Sequence, residues 1–339
     1  MTVSISEDFA RQADPFRREL LAHCYRMLGS VHDAEDLVQE TLLRAWRASG
    51  RFDSERASLR TWLHAIATNA CLTALAGRSR RPLPSAIAGP SDDIEQPLVR
   101  AEVPWLEPLP DAMVWAERAD PAAVAISRSS LRLAFIAALQ MLPPRQRAIL
   151  ILREVLELPA AEVADMLATT PAAVNSALQR ARARLAGVGE DQIDEPTEPA
   201  LRATVDAYVT AFENADISAL TRLLTTDAIL EMPPVAIWYT GRENYRRFMA
   251  RVWAMRGTDW RMARVAANGQ PAVAAYVGTG SGEYQLHSLH VLTITRAGIG
   301  CNTVWAEPGV FATFGLAPRL DGAPRPRPAA SLDPAAGAR

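Results

Sequence analysis

Residues 170–185 read TPAAVNSALQRARARL. The stretch has three arginines, Arg180, Arg182 and Arg184, no acid, and a run of alanines. Helical spacing sorts it into two faces. Val174, Ala177, Leu178, Ala181 and Leu185 recur at i, i+3 and i+4 and form one apolar stripe. The other face offers Ala172, Ala173, Asn175, Ser176, Gln179 and Arg180. Pro171 suits the first helical position, where a missing N–H costs nothing. Immediately upstream, PAAEVADMLAT (159–169) predicts a second helix, whose Val163 and Leu167 would meet the stripe. Two short helices across a tight turn at Thr169-Thr170, the second one basic, make a helix-turn-helix candidate. Small residues would let the second helix approach a groove floor. Asn and Gln can bridge an adenine, and Arg can reach guanine or phosphate. The DNA-facing set is then Thr170, Ala173, Asn175, Ser176, Gln179, Arg180 and Arg182. An ordinary surface helix, or a helix-turn-helix used for protein contact, fits the same residues.

The 339 residues suffice for two or three domains. The net charge is −2, so total charge does not announce a nucleic-acid binder. Its distribution is more telling. All 36 basic residues are arginine, a bias that a GC-rich genome also produces. Cys24, Cys71 and Cys301 lie far apart with no metal-ligand spacing, which suits a reducing cytosol. Neither metal nor cofactor is expected. The N-terminus has acids and no long apolar run, and no stretch reaches the ~18 apolar residues of a membrane span. A cytoplasmic location with no membrane partner follows as an expectation.

Residues 8–81 predict helices throughout. Phe16, Leu20, Leu21, Cys24 and Met27-Leu28 recur at helical spacing, and Gly29 suits a helix end. Asp33 is a capping candidate for DAEDLVQETLLRAWRA. Residues 82–121 hold eight prolines and eight acids and read as a long, mostly extended linker. Val103-Pro104-Trp105-Leu106 is oddly apolar there and suggests docking. Residues 122–187 return to helix, with one expected to run through about Met141. From 198 to 315 the pattern is α+β, with Asn268-Gly269 and Ala297-Gly298 as hairpin signals. The tail, 318–339, is Pro/Ala-rich and expected to be disordered.

Residues 44–81 carry eight arginines against Asp53 and Glu55, with Trp46, Phe52 and Trp62 interleaved. Phosphate attraction plus base stacking is what holding unpaired DNA requires. Just before them, Asp33, Glu35, Asp36 and Glu40 form an acidic patch better matched to a basic protein partner.

At these residues the chain resembles a known family. DAEDLVQETLLRAW, ASLRTWLHAIATNACLTAL and LPPRQRAILILREVLELPAAEVADMLATTPAAVNSALQRARARL look like regions 2 and 4 of the extracytoplasmic-function sigma factors, promoter-recognition subunits of bacterial RNA polymerase. The resemblance implies core polymerase as partner, through its β′ clamp helices and β flap. Asp36, Gln39 and Glu40 match the clamp-docking positions. Arg60, Thr61, Trp62, Asn69, Arg78, Arg80 and Arg81 fall where the −10 element is melted and gripped. The basic helix would read the −35 element, and the acidic linker would thread basic polymerase channels. One departure stands out. Where many members have T-V-K-S-R, this chain has Ala173-Val174-Asn175-Ser176-Ala177, which predicts weaker phosphate attraction or a different −35 sequence.

Residues 198–315 resemble the SnoaL-like domain, a cone of curved sheet and helices around a pocket. Trp105-Leu106-Glu107-Pro108 and Asn268-Gly269-Gln270-Pro271 suit the sigma-factor subgroup that carries this extension. The expected architecture is two all-α sigma domains, a region 2 bundle and a region 4 helix-turn-helix, plus an α+β cone. The cone is expected to contact the sigma domains and regulate them. Glu231, Trp238, Tyr276 and His287 are the pocket candidates. His287 and His290, at i and i+3 of a strand, are expected on opposite faces, which argues against a catalytic dyad and against an enzyme. The alternative is a stand-alone helix-turn-helix regulator with a ligand-sensing or enzymatic cone.

Overall fold

The computed structural model describes residues 9–115, 128–186, 194 and 196–321. The first bundle contains α1 (Arg17–Leu28), α2 (Val31–Ala48) and α3 (Leu59–Leu75). α1 ends where the sequence places Gly29, in the left-handed region at φ 68°, with its N–H on the Tyr25 carbonyl at 2.8 Å. A Cβ there would sit 3.0 Å from Leu106 and 3.2 Å from Gln140, so this corner is also tight against later chain. Ser30, not Asp33, caps α2: its hydroxyl accepts from the Asp33 N–H. Ser58 caps α3 in the same way.

Over residues 82–115 the linker folds onto the protein and has little helix: a 3₁₀ turn at Pro84–Ala86 and the short α4 (Asp111–Val114). Ile94, Trp105, Leu106 and Leu109 are nevertheless buried. Region 4 consists of α5 (Leu133–Gln140), α6 (Pro144–Leu150), a π turn over Ile151–Val155, α7 (Ala160–Met166) and α8 (Pro171–Leu185). The helix expected from 122 to Met141 is shorter. Residues 122–127 lie outside the described set, Ser129–Leu131 is a 3₁₀ turn, and Arg132 takes an extended ψ of 141° before α5 begins.

The cone begins with α9 (Glu198–Glu213) and α10 (Ile217–Arg222), followed by β1 (Leu224–Glu231), β2 (Trp238–Thr240) and α11 (Arg242–Arg256). β3 (Trp260–Ala267), β4 (Gln270–Gly278), β5 (Glu283–Thr295) and β6 (Gly298–Trp305) complete the curved sheet, in the order β2-β1-β6-β5-β4-β3. β1 and β6 are parallel; the other pairs are antiparallel. After α12 (Pro308–Thr313), β7 (Arg319–Asp321) pairs with Glu283–Gln285 of β5. The expected disorder of the tail is therefore wrong for 319–321, where the edge of β5 supplies backbone partners; the rest, 322–339, lies outside the described residues.

Alternation along the sheet divides the packing. One face of the strands, with Leu230, Val273, Ala275 and Leu292, joins α9 and α11 in the interior of the cone, and Ile94 of the linker joins it there. The opposite face presents Ala267, Ala272, Leu289, Val291 and Trp305 to a second core, which also holds the apolar residues of α1–α3, Leu106, Leu109 and α5–α8. The two sigma-like domains, the linker and the outer sheet face therefore share one continuous apolar interior.

Candidate nucleic-acid and polymerase interface

The basic helix α8 has the two faces that its spacing predicts. Val174, Ala177, Leu178 and Ala181 are buried against α6 and α7. Ala172, Ala173, Asn175, Ser176, Gln179 and Arg180 are exposed. Thr170 caps the helix, its Oγ1 accepting from the Ala173 N–H at 3.2 Å. Arg182 is exposed but held by Glu154. The side chains of Asn175, Ser176, Gln179 and Arg180 form no hydrogen bond among the described residues. They present two amides, a hydroxyl and a guanidinium on a face floored by alanines.

On α2, Asp36 and Gln39 are exposed, while Glu40 is paired with Arg44 at 2.7 Å. Asp33 departs from this patch. It turns to Arg78 at 3.1 Å and Arg81 at 2.9 Å. Arg81 also donates to the Trp105 carbonyl and lies 3.5 Å from Glu107. At the other end of α3, Arg60 is bonded to Glu19, Thr61 joins the Ser58 cap, and Trp62 lies on Phe52 with ring centroids 5.0 Å apart. Arg80 is exposed. Asn69 sits between these groups, its Nδ2 donating to the Ala65 carbonyl at 2.9 Å and to the Met166 carbonyl of α7 at 3.3 Å. The sequence-derived melting set thus occupies both ends and the middle of α3, with three of its arginines tied to the protein's own acids.

Several residues that build the surrounding contact were not singled out from the sequence. Arg147 of α6 is buried and donates to the Met27 carbonyl at the end of α1, to Gln140 Oε1 at 2.7 Å, and to the Gln140 and Leu142 carbonyls at 3.2 Å. Burial lowers its pKa to about 10, so it is still charged at neutral pH, facing the negative end of α1. Arg26 reaches Ser130 from the other side. Glu107 accepts from the Ser30 hydroxyl and the Val31 N–H.

The β3–β4 hairpin closes the arrangement. Asn268 and Gly269 have φ of 57° and 67°, the combination a type I′ turn requires. Asn268 Oδ1 accepts from the Leu109 N–H at 2.8 Å. Its Nδ2 donates to the Tyr25 hydroxyl at 2.8 Å and the Leu131 carbonyl at 2.7 Å. Tyr25 in turn donates to the Glu107 carbonyl, and Gln270 Oε1 accepts from the Leu133 N–H. A single fully buried amide from the cone thereby holds the first bundle, the linker and region 4.

The cone encloses a cavity of about 210 Å³. His287 lines it; Glu231, Trp238 and Tyr276 do not. Glu231 and Tyr276 lie on the other strand face. Glu231 accepts from Ser85 and Thr303, and Tyr276 packs with Tyr284. Trp238 turns its Nε1–H to the Ala88 carbonyl. His287 and His290, expected on opposite faces, both line the cavity. The register slips between Ala275↔Ser288 and Tyr276↔Leu286, so His287 is an extra residue in the β5 edge, and this bulge restores it to the inner face. Among the described residues, no group of three potential metal ligands is assembled, and no helix is long and apolar enough to cross a membrane.

Family models match three stretches of the chain. Residues 13–81 match Sigma-70 region 2, 132–185 match Sigma-70 region 4, and 205–299 match the SnoaL-like domain. The chain is 49% identical over 314 residues to the ECF RNA polymerase sigma factor SigG of Mycobacterium tuberculosis, covering 91% of this chain and 84% of that one. It is 29% identical over 180 residues to SigW of Bacillus subtilis, covering 52% and 86%. The crystal structure of M. tuberculosis SigJ shares the fold, with a TM-score of 0.62 at 22% identity over 91% of this chain and all of that one. The SigG match runs through both sigma regions and well into the cone, so it embraces the helix-turn-helix and the domain that clasps it: the chain belongs to the extracytoplasmic-function RNA polymerase sigma factors.

Proposed function

We propose that this sigma factor acts in the cytoplasm on core RNA polymerase, without catalysis of its own, and that its cone governs when the two sigma domains are free to work. Asp36, Gln39 and Glu40 dock on the β′ clamp helices. Asn175, Ser176, Gln179 and Arg180 read the −35 element. α3 with Arg60, Thr61, Trp62, Asn69, Arg78, Arg80 and Arg81 engages and opens the −10 element. Binding energy for unpaired bases offsets the cost of opening the duplex.

The observation that carries the regulatory half is Asn268, whose one amide bonds Tyr25, Leu109 and Leu131. The Asn69 contact with Met166 supports it, because a residue meant for promoter DNA is in touch with region 4. The test is run-off transcription with purified core polymerase, comparing the full chain, a chain ending near Val188, and Asn268→Ala. Specific transcripts are expected from the full chain, and more per molecule once the clasp is removed. No transcript from any of the three, or failure of core polymerase to co-purify, would favour the stand-alone regulator instead. Asp36→Arg is expected to weaken co-purification while leaving the fold intact, since Asp36 is exposed.

A further inference from the structure

Given the restraining role of the cone, on which this inference rests, we propose that Asn268 is a deamidation site guarded by the closed fold, and that its conversion to aspartate or isoaspartate releases the clasp irreversibly. Of the chain's six asparagines, only Asn268 precedes a glycine. Glycine offers its nitrogen to the preceding side chain with no Cβ in the way, so this is the chain's most labile amide. The fold cannot dispense with the pair. Asn268 at φ 57° and Gly269 at φ 67° make the turn. A Cβ on Gly269 would meet Arg128 at 2.9 Å and Trp115 at 3.2 Å. The labile pair therefore lies at the point on which the closed form depends.

The reaction needs only water. A base removes the Gly269 N–H proton, and the nitrogen's electron pair forms a bond to Asn268 Cγ. The Cγ–Nδ2 bond breaks, and ammonia leaves with a proton. Water then adds to either carbonyl of the five-membered imide and opens it to aspartate or isoaspartate. In sum, one water is consumed and one ammonia released.

Every atom in that sequence is engaged in the closed chain. The Gly269 N–H donates to Asp111 Oδ1 at 2.8 Å. Burial raises the pKa of Asp111 to about 6, so at mildly alkaline pH it is ionised and opposes a second negative charge on the nitrogen beside it. Cγ must pass from planar to tetrahedral, which pulls Oδ1 from the Leu109 N–H and Nδ2 from the Tyr25 oxygen and the Leu131 carbonyl. Asn268 has no exposed surface to admit water. Once the linker and the sigma domains leave the hairpin, these partners leave with them. Neither product rebuilds the clasp. Aspartate sets a carboxylate against the Leu131 carbonyl, with the Asp111 carboxylate on the neighbouring residue. Isoaspartate adds a backbone atom to the turn between Ala267 and Gln270, which pair across it. The change therefore runs one way.

The test is peptide mapping of the full chain aged at mildly alkaline pH, in which the tryptic peptide 265–296 reports the change from amide to carboxyl and the isoaspartate. The native chain is expected to react about 10-fold or more slowly than the chain unfolded in guanidinium. Saturating core polymerase should remove most of that protection. Asn268→Asp, the product in normal linkage, should give several-fold more promoter-specific transcript than the parent at limiting core polymerase, as Asn268→Ala should. If Asn268→Asp fails to fold, the deamidated fraction, collected by anion exchange from the polymerase-bound sample, is assayed in its place. Equal rates in the native and unfolded chains, no reaction in either, or full protection with polymerase bound would overturn the proposal. So would a deamidated chain that transcribes no better than the parent while Asn268→Ala transcribes better. If Asn268→Ala brings no gain either, the restraining role of the cone is what fails, and the guarded site falls with it.

Discussion

Asn268 concentrates more of the molecule's organisation than any charged pair. Its amide meets three partners in a site without solvent, so removing it leaves the Leu109 N–H and the Leu131 carbonyl unpaired. Asn268→Ala is expected to destabilise the chain by ~2–4 kcal/mol, read by urea unfolding. Asn268→Asp keeps the acceptor for Leu109 but loses both donated bonds and sets a carboxylate oxygen against the Leu131 carbonyl in a buried site, so it should cost at least as much as Asn268→Ala. The buried histidines set a second residue-scale property. Desolvation lowers the pKa of His23, His64, His287 and His290, the last to about 3. The unfolded chain takes up these protons near pH 6.5 and the folded chain does so only at lower pH. Stability is therefore full above pH 6.5 and falls below it, by up to ~1.4 kcal/mol per pH unit from fully buried His290 alone. Asp111 and Glu231 work in the opposite direction, because burial raises the pKa of both, that of Asp111 to about 6, and acid relieves that cost. Four histidines outweigh two carboxylates, and the urea midpoint should drop between pH 7 and pH 5; a midpoint constant over that range would contradict the assignment.

At the scale of the element, α8 makes the clearest prediction. Arg180 is exposed on the face that Asn175, Ser176 and Gln179 share, whereas Arg184 lies beyond it and Arg182 is engaged by Glu154. Arg180→Ala is expected to weaken −35-dependent transcription several-fold more than Arg184→Ala, since a base-edge contact is worth ~1–3 kcal/mol. Equal effects would mean that the helix enters DNA in another register. This helix was legible because periodicity and capping are local: Val174, Ala177, Leu178 and Ala181 are buried where their spacing puts them. The pocket was less legible. Glu231 and Tyr276 were chosen by residue type, but strand alternation turns them outward. The bulge at His287 reverses the parity argument, and nothing in EYQLHSLHVLTIT announces an unpaired residue. Least legible was the role of Asn268. Its turn was plain from Asn-Gly, but its partners lie far away in sequence, and only the tertiary fold brings Tyr25, Leu109 and Leu131 to it. Arg147 was hidden for a similar reason, since an arginine in PRQRAIL reads as solvated until the end of α1 is packed against it.

For the whole molecule, the central fact is that the outer sheet face, the linker and both sigma domains share one apolar core. A sigma factor that reads two separate promoter elements must hold its two domains apart, while here α3 and α6 are in contact and Asn69 touches α7. Opening must therefore give up the Arg147 bonds to α1, the Arg26 bonds to Ser130 and the Asn268 node, and uncover apolar surface that core polymerase would have to cover instead. If the chain opens as proposed, the contacts given up are ones that single side chains control, so small changes should shift the balance. A compact chain of this length has a radius of gyration of about 20 Å. Small-angle scattering of the parent is expected near that value, and the Asn268→Ala, Gln270→Ala double variant is expected to be more expanded. The same variant should give more promoter-specific transcript at limiting core polymerase, because less binding energy is spent on separating the domains. Expansion without a gain in transcript would mean that the cone assists the engaged complex rather than restraining the free protein. A gain without expansion would place the restraint in the linker, at Glu107 and Arg81, and not in the cone.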